Sequence, residues 1–196
     1  MNFKSPNLPF LEAIKKFKKN PEELMNLFRE ESLLIGLLIT KDSKNLVLSE
    51  NENFKALACF TNENKLLEFS PLARPSILHG KEIAQLANTS STKLLHLDPP
   101  DGPVVLGSML RAIITNEKWV DSSQSEILNS FIQDQIGHHH EVSFYLERGE
   151  WTDLKIALTG EFKICAEVAS KLGQLLAKDP TVIELLPSGA DIVYLS

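Results

Sequence analysis

Cysteine is scarce in this chain of 196 residues, with one at position 59 and one at 165. A single pair cannot build the disulfide framework that holds small secreted domains together, so any fold must rest on an apolar core. Long apolar runs are missing too. The longest, at 33–39, is far below the ~18 residues that a membrane-spanning helix needs. The opening Met1-Asn2-Phe3-Lys4-Ser5-Pro6 has no apolar stretch behind a charged one, so no secretory leader is expected. Basic residues are in the minority, 20 against 26 acidic ones, for a net charge of −6. That balance excludes general nucleic-acid binding through phosphate neutralisation. No Gly-x-Gly-x-x-Gly and no Gly-x-x-x-x-Gly-Lys-Ser/Thr occurs, which removes the common phosphate-cradling loops. Apolar residues nonetheless make up 43% of the chain. At about 100–200 residues per domain, that is enough for one domain or two small ones. The expectation is a soluble, cytoplasmic, mixed globular protein.

The chain opens as two short helices. Phe10, Ile14 and Phe17 fall four and three apart, with Lys15, Lys16, Lys18 and Lys19 on the other faces. Asn20-Pro21-Glu22-Glu23 stops the first helix and starts the second, since Asn20 can cap a free N–H and Pro21 suits the first helical position. Three strands joined by polar loops are expected at 33–40, 46–48 and 54–60. A helix capped by Thr61 or Asn62 follows, then a short strand at 76–78 and a helix at 81–88. A strand at 93–97 ends in the rigid turn Asp98-Pro99-Pro100-Asp101-Gly102-Pro103. The helical pattern at 108–114 closes this half.

Between 115 and 124 the pattern breaks, which places a domain boundary at 118/119. Ser123-Gln124-Ser125-Glu126 has capping-box spacing before a helix carrying Leu128, Phe131, Ile132 and Ile136. Strands are expected at 140–146 and 154–158. A strongly periodic helix begins near Phe162, and two more strands at 182–186 and 192–195 finish the chain. Charge divides unevenly. Residues 1–118 carry 15 basic and 14 acidic side chains, while residues 119–196 carry 5 and 12, a net of −7. The second half therefore presents an acidic surface, unsuited to nucleic acid or an anionic membrane.

Few residues suggest chemistry. In His138-His139-His140-Glu141, a strand opening at His140 would put His138 and His140 on one side, able to supply two imidazoles to zinc. A solvated turn before a strand accounts for the same residues. His96 with Asp98 and Asp101 has the composition of an acid–base site, but no Gly-x-Ser-x-Gly elbow accompanies it. Cys59 and Cys165 sit in apolar patterns and read as small buried hydrophobes. The basic face of the first helix, Lys15 and Lys16 in particular, is a candidate contact for a membrane surface or for an acidic partner. That partner includes the acidic second half of a neighbouring copy, so a homo-oligomer is one expectation. Leu72, Ile77, Leu78 and Trp119 lie in loop-like segments and are candidates for an exposed apolar patch.

The stretch at 54–69, an apolar strand, the turn Cys59-Phe60-Thr61-Asn62-Glu63 and a helix, resembles the SseB family of bacterial proteins. The likeness continues through Gly80-Lys81-Glu82-Ile83-Ala84-Gln85-Leu86, through Leu94, His96, Leu97, Asp98 and Pro99, and through Gly102-Pro103-Val104. Residues 141–146, 154–158 and 162–176 are similar to the family's second domain. Where the family has an Asn-Pro after the last strand of the first domain, this chain has Asp98-Pro99-Pro100. The resemblance implies a two-domain protein of bacterial cytoplasm, in a family named for an effect on serine sensitivity. It implies no reaction and no cofactor. The expectation is an α+β fold of two small domains, 1–118 and 119–196, each a mostly antiparallel sheet with helices on one face. The expected role is non-enzymatic: a binding or regulatory module for another protein or a small polar metabolite. The alternative is a metal-dependent hydrolase built on the cluster from His138 to Glu141.

Overall fold

A computed structural model describes residues 3–195, so Met1 and Asn2, on which the reading of the leader also rests, and Ser196 lie outside it. The chain forms two compact units that meet in sequence between Trp119 and Val120. The class is α+β.

In the first unit, α1 (Leu8–Lys16) is capped by the Asn7 side chain and α2 (Pro21–Phe28) by that of Asn20. Asn20 Oδ1 accepts from the Glu23 N–H and its amide donates to the Glu23 carboxylate, so the expected start signal is used. The strands are β1 (Ser32–Ile39), β2 (Lys44–Leu46), β3 (Leu48–Glu50) and β4 (Lys55–Phe60). Helix α3 (Glu63–Phe69) follows, then β5 (Arg74–His79) and α4 (Gly80–Thr89). Strands β6 (Leu95–Leu97) and β7 (Val104–Val105) and helix α5 (Gly107–Thr115) complete the unit.

The strand expected at 46–48 is split at Val47. Strand β1 pairs with β4 at Leu34 and Ile35, then with β2 from Leu37 onward, while β4 pairs with β3. The β2–β3 segment thus enters the fork between β1 and β4, with Val47 at its apex bonded to Gly36 on one side and Ala58 on the other. Strand β5 closes one edge on β1, and β4, β6 and β7 follow on the far side. All pairings are antiparallel except β4 with β6.

Helices cover this sheet on both faces, a correction to the one-faced layer expected. Because neighbouring strand residues point to opposite faces, Leu34, Ala58 and Phe60 gather with Leu66 of α3. Leu33, Ile35, Leu57 and Cys59 point the other way and are buried as well. The Arg29 guanidinium, just after α2, donates to the carbonyls of Ala112 and Glu117 at the end of α5, where positive charge is favoured.

The second unit begins with a 3-10 turn, Ser122–Gln124, capped by Asp121, and α6 (Glu126–Ile136). Ser125, not Ser123, accepts from the first helical turn, at Leu128 N–H. The box spacing is thus not used as such, since Asp121 draws Ser123 into its own turn. Strands β8 (Val142–Glu147) and β9 (Leu154–Gly160) form a hairpin, followed by α7 (Phe162–Leu176), α8 (Pro180–Leu185) and β10 (Ala190–Leu195).

The expected strand at 182–186 is helical. Asp179 accepts from the Val182 N–H, and Pro180 fixes the first helical φ. This capping outweighs the β-branched Val182 and Ile183 that suggested a strand. The sheet runs β10-β9-β8, with β8/β9 antiparallel and β9/β10 parallel. A parallel neighbour follows from the crossover through α7 and α8, since parallel strands need such a connection. Val142, Leu154, Ile156 and Leu158 pack against Leu128, Cys165, Val168 and Leu172 on one face of this sheet.

Candidate functional site

The first cluster with chemical potential lies at the carboxyl ends of the parallel strands β4 and β6. His96 of β6 is 4% exposed. Its Nε2 lies 3.0 Å from the Gly102 carbonyl, which can only accept, so Nε2 carries the proton. Nδ1 therefore accepts from the Ser49 hydroxyl at 2.8 Å, and the Phe54 ring stands edge-on at 5.4 Å. Burial holds this imidazole below its ordinary range, against the opposing pull of the Gly102 and Pro100 carbonyls and of the Asp101 and Asp98 charges. Both ring nitrogens are engaged in structural bonds and the ring has little access to solvent.

Asp98, next in the chain, serves a different set of partners. Its φ of 52° and the cis bond between Pro99 and Pro100 turn the chain sharply at the end of β6. One carboxylate oxygen accepts from the Thr61 N–H and the other from the Thr61 hydroxyl and Lys65 Nζ, all at 2.7 Å. Its own N–H donates to the Cys59 carbonyl. Asp98 thus ties the Pro-rich turn to the entrance of α3. The structure joins neither it nor Asp101 to His96 by a side-chain hydrogen bond, so the acid–base triad considered from sequence is two separate structural knots. Ser49 and Lys65 were not singled out from sequence, and Thr61 only as a candidate helix cap, a role that Asn62 fills, because the three lie 47, 37 and 33 positions from their partners.

Cys59 and Cys165 are both free and buried. Burial, and then the Asp98 charge, push the Cys59 thiol well above its usual range, the opposite of what a reactive thiol needs.

The second candidate is the turn from His138 to Glu141. Strand β8 opens at Val142 rather than His140, so the period-two placement of His138 and His140 on one strand face does not apply. The residues instead form a tight turn in which Val142 N–H donates to the His139 carbonyl. Among the described residues, no group of three or more His, Cys, Asp or Glu is placed to hold a metal ion.

His139 and His140 do line an open groove of about 580 Å³ beside α6 and β8. Its walls are Asn129 and Gln133 of α6 and the consecutive residues 142–146 of β8. Asn129 and Gln133, four apart on one helix face, are uncharged amides beside the apolar stripe, and that pairing was the one sequence signal for this wall.

A groove in the first unit, of about 680 Å³, lies over Leu34 and Ile77 between β5 and the start of α3, with Asn62, Asn64 and Ser76 at its rim.

The apolar patch expected at Leu72, Ile77, Leu78 and Trp119 does not form as such. Ile77 and Leu78 belong to β5 and pair with Leu34 and Leu33, where cross-strand packing covers much of each side chain. Trp119 is half-buried and donates from Nε1 to Ser108 Oγ. Leu72 alone stands out, 86% exposed in the turn before β5. On α1, Lys15 is paired with Glu12 at 2.8 Å and is exposed, as is Lys16. No described helix is long and apolar enough to cross a membrane. No protein-family model matches the chain, and no curated protein and no solved structure matches it either.

Proposed function

We propose that this protein is a non-enzymatic binding or regulatory module, SseB-like in kind and at work in bacterial cytoplasm, whose ligand is another protein or a small polar metabolite. One observation carries this reading: the buried titratable groups that could do chemistry are consumed by the fold, while the open grooves are lined mainly by polar and apolar side chains, with His139 and His140 at one and a single carboxylate, Glu63, at the other. His96 is held through both nitrogens and Asp98 through both oxygens. General acid–base catalysis needs such groups within reach of a substrate, and grooves of mixed apolar and amide character suit recognition.

Affinity capture with the untagged full chain from the native host, followed by identification of bound proteins and small molecules, tests the reading. Specific recovery of one or the other is the expected result. A metal assay of the same preparation addresses the hydrolase alternative. Stoichiometric zinc, with ester or phosphoester hydrolysis that disappears in His138→Ala and His140→Ala, would replace the binding reading with a metal-dependent hydrolase.

A further inference from the structure

Side chains of consecutive strand residues alternate between faces, yet every residue of 142–146 lines the groove beside α6. The groove therefore runs along the strand's edge rather than over either face. That edge carries no strand, because β8 is the last strand of the sheet β10-β9-β8. An unpaired edge presents alternate backbone N–H and C=O groups outward.

Proteins usually blunt such edges with proline, lysine or extreme shortness. In the first unit β5 carries Arg74 and Pro75, and β7 is two residues long. Strand β8, Val-Ser-Phe-Tyr-Leu-Glu, has none of these devices. It also leaves Phe144 and Leu146 only partly buried at the margin of the core. An incoming strand would continue that core with every second side chain.

Charge selects the occupant. Glu141 directly precedes the strand and is exposed. The groove is lined by His139 and His140 but by no lysine or arginine, in a unit of net charge −7. A second copy suits it poorly. Two β8 edges paired antiparallel about Phe144 would set Glu141 opposite Glu147 of the other copy, and like charges directly opposed are destabilising.

Resting on the reading of this chain as a binding module, we propose that β8 and α6 form a strand-addition site for an extended, cationic segment of a partner protein, with aliphatic side chains alternating with lysine or arginine. Main-chain hydrogen bonds to β8 supply register. The aliphatic side chains cover Phe144 and Leu146 on the α6 side, and the basic ones, on the opposite face of the strand, meet Glu141.

The test uses the full chain, labelled for NMR, and the peptide Lys-Val-Lys-Val-Lys-Val. The expected result is perturbation of the amides of 142–146 and of the Asn129 and Gln133 side chains, with a Kd below about 1 mM. The counterpart Glu-Val-Glu-Val-Glu-Val should bind at least about tenfold more weakly. Methylation of alternate backbone nitrogens in the cationic peptide should abolish binding. Gln133→Arg, an exposed substitution, should weaken it while leaving the rest of the spectrum unchanged.

Equal binding of the two peptides, or no perturbation along β8, overturns the proposal. Concentration-dependent perturbation of the same amides without peptide overturns it in favour of a second copy. Neither result touches the wider binding reading, which stands or falls on what the capture experiment recovers.

Discussion

Gly36 of β1 faces Val47 so closely that a β-carbon at position 36 would lie 2.6 Å from Val47 Cγ2 and 2.8 Å from Leu66 Cδ1. This one missing side chain lets the β2–β3 segment enter the fork between β1 and β4 and lets α3 sit down on the sheet. Gly36→Ala is expected to destabilise the protein by about 1–3 kcal/mol, because Val47 is stiff at its β-carbon and Leu66 is fully buried. Urea unfolding measures it. In a Val47→Ala background the same substitution should cost less, and a neutral Gly36→Ala would show that the fork relaxes freely.

Asp98 anchors the Pro-rich turn through Thr61 and Lys65. Asp98→Ala removes the acceptor of the Thr61 N–H and hydroxyl in a buried place and should cost about 2–5 kcal/mol. Asp98→Asn keeps one acceptor and a residue that tolerates the left-handed φ of 52°, so its cost should be smaller. Lys65→Met should cost less than about 1 kcal/mol, because the Lys65 side chain is 45% exposed. Denaturation midpoints of the three variants give the order.

His96 makes stability depend on pH in a definite direction. Burial depresses its folded-state pKa, whereas the unfolded imidazole titrates near about 6.5. Between those two values the unfolded chain binds the extra proton. The contribution of His96 is therefore complete above about pH 6.5 and is lost as pH falls through the lower folded value. The imidazole carbon resonance of His96 should titrate below the ordinary histidine range. Stability measured from pH 7 downward should fall less steeply in His96→Gln, and an unchanged slope would count against the assignment.

Both thiols are buried, and that of Cys59 is held well above its usual range by burial and by the Asp98 charge. An aromatic disulfide reagent at neutral pH should react slowly with the native protein and rapidly in denaturant. Fast labelling of Cys59 in the native state would mean that β4 opens far more readily than its burial indicates.

Much of the element plan was legible because it is local. Asn20 and Asn62 cap helices through atoms three residues away, and the apolar spacing of α7 is a property of one contiguous segment. The readings that failed are those in which one local signal had to be weighed against another. Val182 and Ile183 favoured a strand until Asp179 and Pro180 are counted, and His140 lies in a turn that the alternation of β8 does not reach.

Composition and periodicity alone indicate a mixed protein with helices and strands in both halves, and the distribution of charge makes the second half acidic, since burial and solvation preferences act residue by residue. Pairing between distant segments is different in kind. Only the folded chain could set Val47 between Gly36 and Ala58, bring Ser49 to His96 and Thr61 to Asp98, and leave β8 as an open edge beside α6. Each of those depends on which strands become neighbours, and that is decided by the packing of the whole sheet rather than by any stretch of sequence.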